Sequence, residues 1–591
     1  MIALPPRRAL IALVVLAFVG PAVSSLRGDD PGSADDGWTW RRLVAPKVPA
    51  VVHRDWPHNP IDAFVLAGLE GHALTPAPQA DRLTLLKRVT FDLTGLLPTR
   101  AERDAFLADD APDAYAKVVD RLLASPHYGE RAAQQWFDVV RYSETEGYKF
   151  DQTRPEMYRY RDWVIRSLNA DLPFDRFAML QIAGDELEPT NPDARIATGY
   201  LRLHPEESNG SNYREIRQDI LNDITDNFAT TFLGMTAGCA RCHDHKFDPI
   251  SQVEYYRLQA YFAAVFPRDD IVLAGPKERE AYAVKLSAWE AATKSLREQR
   301  AALLRPNEKK VFDEYVAALD PETQAALKAP ETERSPLQRQ LAAYGGKQIV
   351  LKLNRIPRRR LDADGRKQVD VLTAKIDAIE KPSPLPVAHT VTDLGPEAPK
   401  VFRLSVGDYR KPKAEVQPGV LECLETSPPP IEKLNASTGR RSALARWLCG
   451  PDQVMTARVI VNRIWQRHFG AGIVGTPNDF GAMGDRPTHH ALLDFLAAEL
   501  VREHWSLKAI ERLIATSATY RQESDPARNP TAALADKCDP GDRLLWHQRS
   551  RRRDAESIRD GVLFAAGTLD ERMFGPSALP DLPPALQNAR S

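Results

Sequence analysis

Residues 220–262 read ILNDITDNFATTFLGMTAGCARCHDHKFDPISQVEYYRLQAYF. In the first part, Ile220, Leu221, Phe228, Phe232 and Leu233 form the apolar side of a helix. The last part opens on Ser251-Gln252-Val253-Glu254, a capping box, and continues as a helical run from Tyr255 to Phe262. Between them stands Cys239-Ala240-Arg241-Cys242-His243. The stretch predicts two helices joined by a turn that presents two thiols and an imidazole.

Cys-x-x-Cys-His has a mechanical logic. Two thiols three positions apart each add to one vinyl group of a haem, and the adjacent His turns to ligate iron. On this reading Cys239 and Cys242 form thioethers with haem c and His243 is the proximal ligand. Phe232, Phe247, Tyr255 and Tyr256 are available to wall the porphyrin. Met157, Met179, His204 and Met235 are candidates for the sixth ligand; His245 is too near His243 to reach the opposite haem face. Two rivals stand beside this reading. One is a redox disulfide between Cys239 and Cys242, which leaves His243 unexplained. The other is a mononuclear zinc or iron site built from Cys239, Cys242, His243, His245 and Asp248, a mixed donor set that suits both metals.

Outward from this turn, the pattern predicts a mainly α, multi-domain protein. Residues 60–267 read as a helical domain punctuated by prolines, with helices over Ala101–Phe106 and Arg131–Tyr142. Residues 268–385 are charged and alanine-rich, with Leu286, Trp289, Leu296 and Leu303 near heptad spacing, and read as a spacer of long amphipathic helices. Residues 386–427 lose the helical pattern, and Val401–Val406 reads as a strand of a small β-element. Helices return over 435–591: Ser442–Leu448, Thr456–Phe469, His489–Val501 capped by Thr488, and Leu507–Ala515 capped by Ser506.

At the N-terminus, Arg7 and Arg8 precede the apolar run Ala9–Val19 and the small residues Ala22, Ser24 and Ser25, which reads as a signal peptide over residues 1–24 and a periplasmic or secreted protein. Residues 25–59 read as an extended lead-in. No later stretch reads as an integral membrane span. The chain has 79 Lys and Arg against 80 Asp and Glu, so its overall charge gives no reason to expect nucleic acid. Arg358–Arg360 and Arg551–Arg553 read as solvated clusters. Five cysteines in 591 residues exclude a disulfide scaffold; among Cys423, Cys449 and Cys538 one bridge at most can form.

Two further clusters invite a functional reading. Asp219, Asp223 and Asp226 share one helix face and are expected to pair with Arg214 and Arg217, with a metal or substrate role as the alternative. From His127 to Glu146, Arg131, Asp138 and Arg141 read as a structural ion-pair network, with Trp136 and Val140 in the core. No residue can be assigned a catalytic role, and whether the protein is an enzyme stays open.

Several motifs resemble a known family. Val89-Thr90-Phe91-Asp92-Leu93-Thr94-Gly95-Leu96-Leu97-Pro98-Thr99, Arg121–Arg131, Tyr160–Ile165 and Cys239–Pro249 resemble the planctomycete cytochrome-associated domain of unknown function. Val461–Gly470, Asn478-Asp479-Phe480-Gly481 and Thr516–Gln522 resemble its usual C-terminal partner, also of unknown function. The resemblance implies a secreted protein with a cytochrome-like motif. The lead-in is too short for the separate cytochrome c domain of many relatives, and the C-terminal domain reads as truncated. Two functions follow as expectations: a haem protein for electron transfer or haem-based redox chemistry with an unidentified redox partner, or a non-haem interaction or carbohydrate-related protein whose Cys/His cluster is structural or metal-binding. Association with polysaccharide rests on analogy alone.

Overall fold

The computed structural model describes residues 38–149, 152–207, 210–424 and 427–577; the segment expected to be a signal peptide and the expected lead-in through residue 37 lie outside them. From Trp38 on, the chain forms one compact unit. Among the described residues it is mainly α, with 21 α-helices and two two-stranded sheets. None of these helices is long and apolar enough to cross a membrane.

Local chemistry starts many of the helices. Asn59 and Asp62 close a capping box around Pro60 and open Pro60–Gly71. Thr99 and Glu102 do the same for Arg100–Ala108, and Ser125 caps Pro126–Val140. Ser506 caps Leu507–Ala515 as expected. Thr488 does not cap the next helix back: that helix runs His490–Arg502, its N-cap is His489 without a side-chain bond, and the Thr488 hydroxyl instead lies 3.0 Å from His489 Nδ1.

The regions around 60–267 and 435–591 interlock through buried polar groups. Asp62, fully buried, accepts from Ala518 N at 2.9 Å, Thr519 N at 2.8 Å and Thr519 Oγ1 at 2.7 Å. Tyr520 donates its hydroxyl to Asp92 at 2.7 Å, and Tyr128 donates to Glu511 at 3.0 Å. Each bond satisfies a group that would be costly to bury alone.

The spacer is an excursion closed at its root by a β-ladder. Strand β1 (Val265–Val272) leads out and pairs antiparallel with the returning β2 (Val387–Asp393), Val265 opposite Asp393 and Val272 opposite Val387. Between them run Pro276–Ala318, a helix of 43 residues and about 65 Å, and the helices Pro336–Arg359 and Ala363–Asp377 that pack along it. The expected long amphipathic helices are thus present. The expected strand is shorter, β3 (Val401–Leu404), and pairs with β4 (Pro412–Val416). β1 was not legible as a strand, because Pro267, Arg268, Asp269 and Asp270 interrupt its apolar pattern.

At the end of β2, Asp393 meets a deeply buried charge cluster. Arg441, fully buried on the helix Arg440–Leu448, donates to Asp185 at 2.6 and 2.9 Å and to Asp393 at 3.2 Å, with Glu186 3.4 Å away. Ser437 and Thr438 add hydroxyl bonds to Asp393 at 2.9 and 2.7 Å. Burial would raise the Asp393 carboxyl, but Arg441 and these bonds outweigh it and hold it below its usual range. Burial raises Glu186, against the pull of Arg441. The cluster ties the helix Phe174–Leu187, β2 and the helix Arg440–Leu448 to one guanidinium.

Two outcomes follow. Arg441→Met strands buried carboxylates without their cation and is expected to cost about 3–5 kcal/mol in urea unfolding. The fold is also expected to weaken in mild acid. Burial, joined by nearby arginines, pushes His204 down to about 3; burial pushes His489 and His389 down to about 4. Their stabilising contribution is fully present above pH 6.5, where the unfolded imidazoles are also neutral, and is lost as pH falls and only the unfolded chain takes up protons. Unfolding free energies from urea titrations at pH 7.5 and 5.5 should differ by about 1 kcal/mol per histidine. Asp226, whose carboxyl burial raises to about 6, opposes this in part, because the folded state then holds the extra proton.

Candidate functional site

The helix Tyr213–Phe228 runs into a single wide turn, Ala229–Leu233, and stops at Gly234 in the left-handed conformation, φ 60°. Gly234 is required there twice over, since a Cβ would also lie 2.8 Å from Phe480 and from Val459. Phe480 N donates to the Gly234 carbonyl at 2.8 Å. The chain leaves this docking point as a short 3-10 turn, Ala237–Arg241, that begins the Cys-x-x-Cys-His motif, with Cys242 at its C-cap and His243 just beyond. Ala237 and Ala240 face the core, whereas Cys239 is exposed and Cys242 half-buried.

The polar residues after the motif hold the loop in place. Asp244 accepts from Gln252 N at 2.8 Å at the start of the helix Gln252–Gln259, which Ser251 and Glu254 cap as expected. Gln252 Nε2 and the Tyr256 hydroxyl both donate to the Arg241 carbonyl, at 2.9 and 3.0 Å. His245 Nδ1 accepts from Asp248 N at 2.9 Å, and Asp248 Oδ1 accepts from Ala482 N at 2.7 Å, fastening the loop to the C-terminal region. His243 differs. It is exposed, and its Nδ1 lies 2.7 Å from the Asp244 carbonyl, so that nitrogen carries the proton and Nε2 is left as the free lone pair. Cys239 and His243 are thus exposed and Cys242 is half-buried beside Arg241, and none of the three side chains holds a main-chain N–H of the loop.

The surroundings differ from those expected. Phe232, Tyr255 and Tyr256 are core residues rather than porphyrin walls: Phe232 packs on Trp136 and Tyr200, and Tyr255 donates to Asp226 at 2.9 Å. Phe247 alone of the four is exposed, beneath Lys246. Met157, Met235 and His204 are buried in the core and Met179 is half-buried against it. The five-residue metal alternative is not assembled. His245 and Asp248 face each other, and among the described residues no three or more His, Cys, Asp and Glu side chains gather closely enough to hold a metal ion. No cysteine is bridged, Cys239 and Cys242 included.

The aspartate face divides. Asp223 takes a two-pronged bond from Arg141, 2.8 Å on each oxygen, and Asp219 accepts from Lys149 at 2.8 Å. Arg214 and Arg217 are not their partners: Arg214 pairs with Glu322, and Arg217 donates to the Ala263 carbonyl and to Gln340. Asp226 lies directly under the motif, where a Cβ on Gly238 would meet it at 3.1 Å. Burial pushes its carboxyl up to about 6, offset in part by the Tyr255 hydroxyl and Arg241.

Nor do Arg131, Asp138 and Arg141 form a network. Arg131 reaches Asp554 at 2.8 Å, Arg141 takes Asp223, and Asp138 is exposed. Trp136 and Val140 are in the core as expected. What sequence reasoning missed is a cleft of about 1130 Å³ over this segment, lined from one side by Lys87, Arg88 and Arg131 and from the other by Arg463, Arg467 and residues 549–554. Arg551–Arg553, read as merely solvated, line it. The one available signal was the i, i+4 spacing of Arg463 and Arg467.

Fold and site together define a helical protein in which an exposed Cys/His turn sits at the junction of two interlocked regions. Residues 60–266 match PSCyt2, a protein of unknown function (DUF1549), and residues 440–591 match PSD1, a protein of unknown function (DUF1553). The chain thus carries these two domains of unknown function in this order. No curated protein and no solved structure matches it.

Asp248→Ala removes the acceptor that joins the Cys/His loop to Ala482. It is expected to lower stability by about 1–3 kcal/mol and to raise amide exchange at Ala482, measured by hydrogen-exchange mass spectrometry.

Proposed function

We propose that this protein is an exported c-type haem protein that transfers electrons. The observation that carries the reading is the sorting of the motif loop: Asp244, His245, Asp248 and Gln252 hold the backbone, and Cys239, Cys242 and His243 stay accessible. The donor set fits covalent haem. Two unbridged thiols on one short turn match two vinyl groups, and His243, with Nδ1 bonded to a carbonyl, offers Nε2 to iron. The bound haem would supply one-electron chemistry at a potential set by its ligands and exposure.

The chain's own residues favour transfer over enclosed catalysis. With Phe232, Tyr255 and Tyr256 turned inward, the turn offers an open face rather than a closed distal pocket. An accessible edge suits exchange with a protein partner. The Asp244 carbonyl orients the His243 ring, and the Ala240 side chain anchors the turn.

Expression in a host with c-type haem maturation, followed by a denaturing gel stained for haem peroxidase activity, tests this. A stained band is expected that vanishes in Cys239→Ala/Cys242→Ala. In His243→Ala the band should persist while the absorption spectrum changes, because the thioethers hold the haem but the iron loses its ligand. Folded wild-type protein without stain, beside a stained control cytochrome, would sink the proposal.

A further inference from the structure

The charge in the cleft is unlike that of the chain. The whole protein is balanced at −1, yet the cleft walls carry nine Lys and Arg side chains against four carboxylates. Three of those carboxylates already have a cation: Asp92 accepts from Arg551 at 2.6 Å, Asp554 from Arg131 at 2.8 Å, and Glu511 lies against Arg467. Arg549 pairs with Asp542 at 3.2 Å. Lys87, Arg88, Arg463, Arg552 and Arg553 remain without a carboxylate partner among the described residues, against the single exposed Asp138.

Three of the five are held in position by groups that do not cancel their charge. Arg463 donates to the carbonyls of Thr230, at 2.8 Å, and Thr231, and to Asn478 Oδ1 at 3.1 Å. Arg88 donates to the carbonyls of Tyr520 and Gln522 at 2.6 and 2.9 Å and to Ser524 Oγ at 2.9 Å. Arg553 lies over the Phe91 ring, 4.2 Å from its centre. Neutral acceptors fix the guanidinium planes and leave their charge for something else, the arrangement that suits planar, multi-point recognition of oxyanions. Lys87 and Arg552, both exposed, add charge at the rim. Between the cations, Ile460, Ile464 and Phe91 line the cleft with apolar surface. The volume is that of a small-molecule site, not of a single ion.

We propose that this cleft binds a ligand bearing two or more oxyanion groups, carboxylate, phosphate or sulfate, on a compact body. The bound anions would complete the charge that the walls leave open. Lys87 and Arg88 come from the first matched region, and Arg463, Arg552 and Arg553 from the second, so the site exists only where the two regions meet.

Calorimetric titration of the full chain with citrate, inorganic pyrophosphate and a disulfated disaccharide, at low and high salt, tests the proposal. At least one is expected to bind saturably at one site per chain, more weakly at high salt. Lys87→Gln/Arg552→Gln, which removes two rim cations with no structural bond, should weaken that binding about tenfold or more without lowering the melting temperature. Arg358→Gln, in the helical spacer, should leave it unchanged. Whichever of the three binds best names the oxyanion and separates a free small anion from a substituted sugar. Four results would overturn the proposal: no saturable binding of any probe, binding unchanged in the double variant, equal weakening by Arg358→Gln, or tight binding of a single-stranded oligonucleotide with none of the small anions.

Discussion

One buried guanidinium organises the packing on which the rest depends. Arg441 faces Asp185, Glu186 and Asp393, which come from two segments far apart in sequence, one helix and one strand. A charge in that position is tolerable only when all its partners are present and correctly placed. The cluster therefore works as a registration device as much as a source of stability. If β2 slipped by one residue, Asp393 would turn to the other face of its strand and the guanidinium would lose an acceptor. The helix that carries Arg441 opens the region whose later residues dock on Gly234, Asp62 and Asp92, so its placement propagates to the Cys/His turn and to the cleft.

The same logic recurs on a smaller scale around the motif. A sequence such as Cys-Ala-Arg-Cys-His-Asp-His-Lys-Phe-Asp-Pro looks uniformly reactive on paper. In the fold it separates into residues that satisfy backbone groups and residues that do not. Asp244 and Asp248 accept from main-chain N–H groups, and His245 closes the loop between them. Whether a side chain accepts from a main-chain N–H distinguishes the two sets; residue type does not.

How much of this was legible in the sequence varies with the range of the interaction concerned. The capping box at Ser251, the cap at Ser506 and the apolar periodicity of the helices are local, and the helical architecture follows from them. The long spacer helices are likewise written in their spacing. The strand β1 was hidden because its partner lies over a hundred residues away and its own apolar pattern is interrupted at Pro267 and Asp269. The aspartate face was read as a unit because helical spacing says which residues share a side but not what stands opposite. Arg141, Lys149 and Tyr255 do, and they divide the three carboxylates between them. The cleft escaped for a related reason: its cations come from segments some four hundred residues apart, each of which looks ordinary by itself.

The ladder of β1 and β2 has a consequence for how this protein can change. It closes the helical excursion at its base, where Tyr344 stacks on Tyr213 and Lys347 reaches Asp269 at 2.5 Å. Beyond that base the arm rests largely on its own four helices, the short Pro321–Lys328 among them. Its length is therefore decoupled from the body: paired helical turns can be added or removed at the far end while the ladder keeps both roots in register. The reach of the arm is a free variable, and the geometry of the body is not.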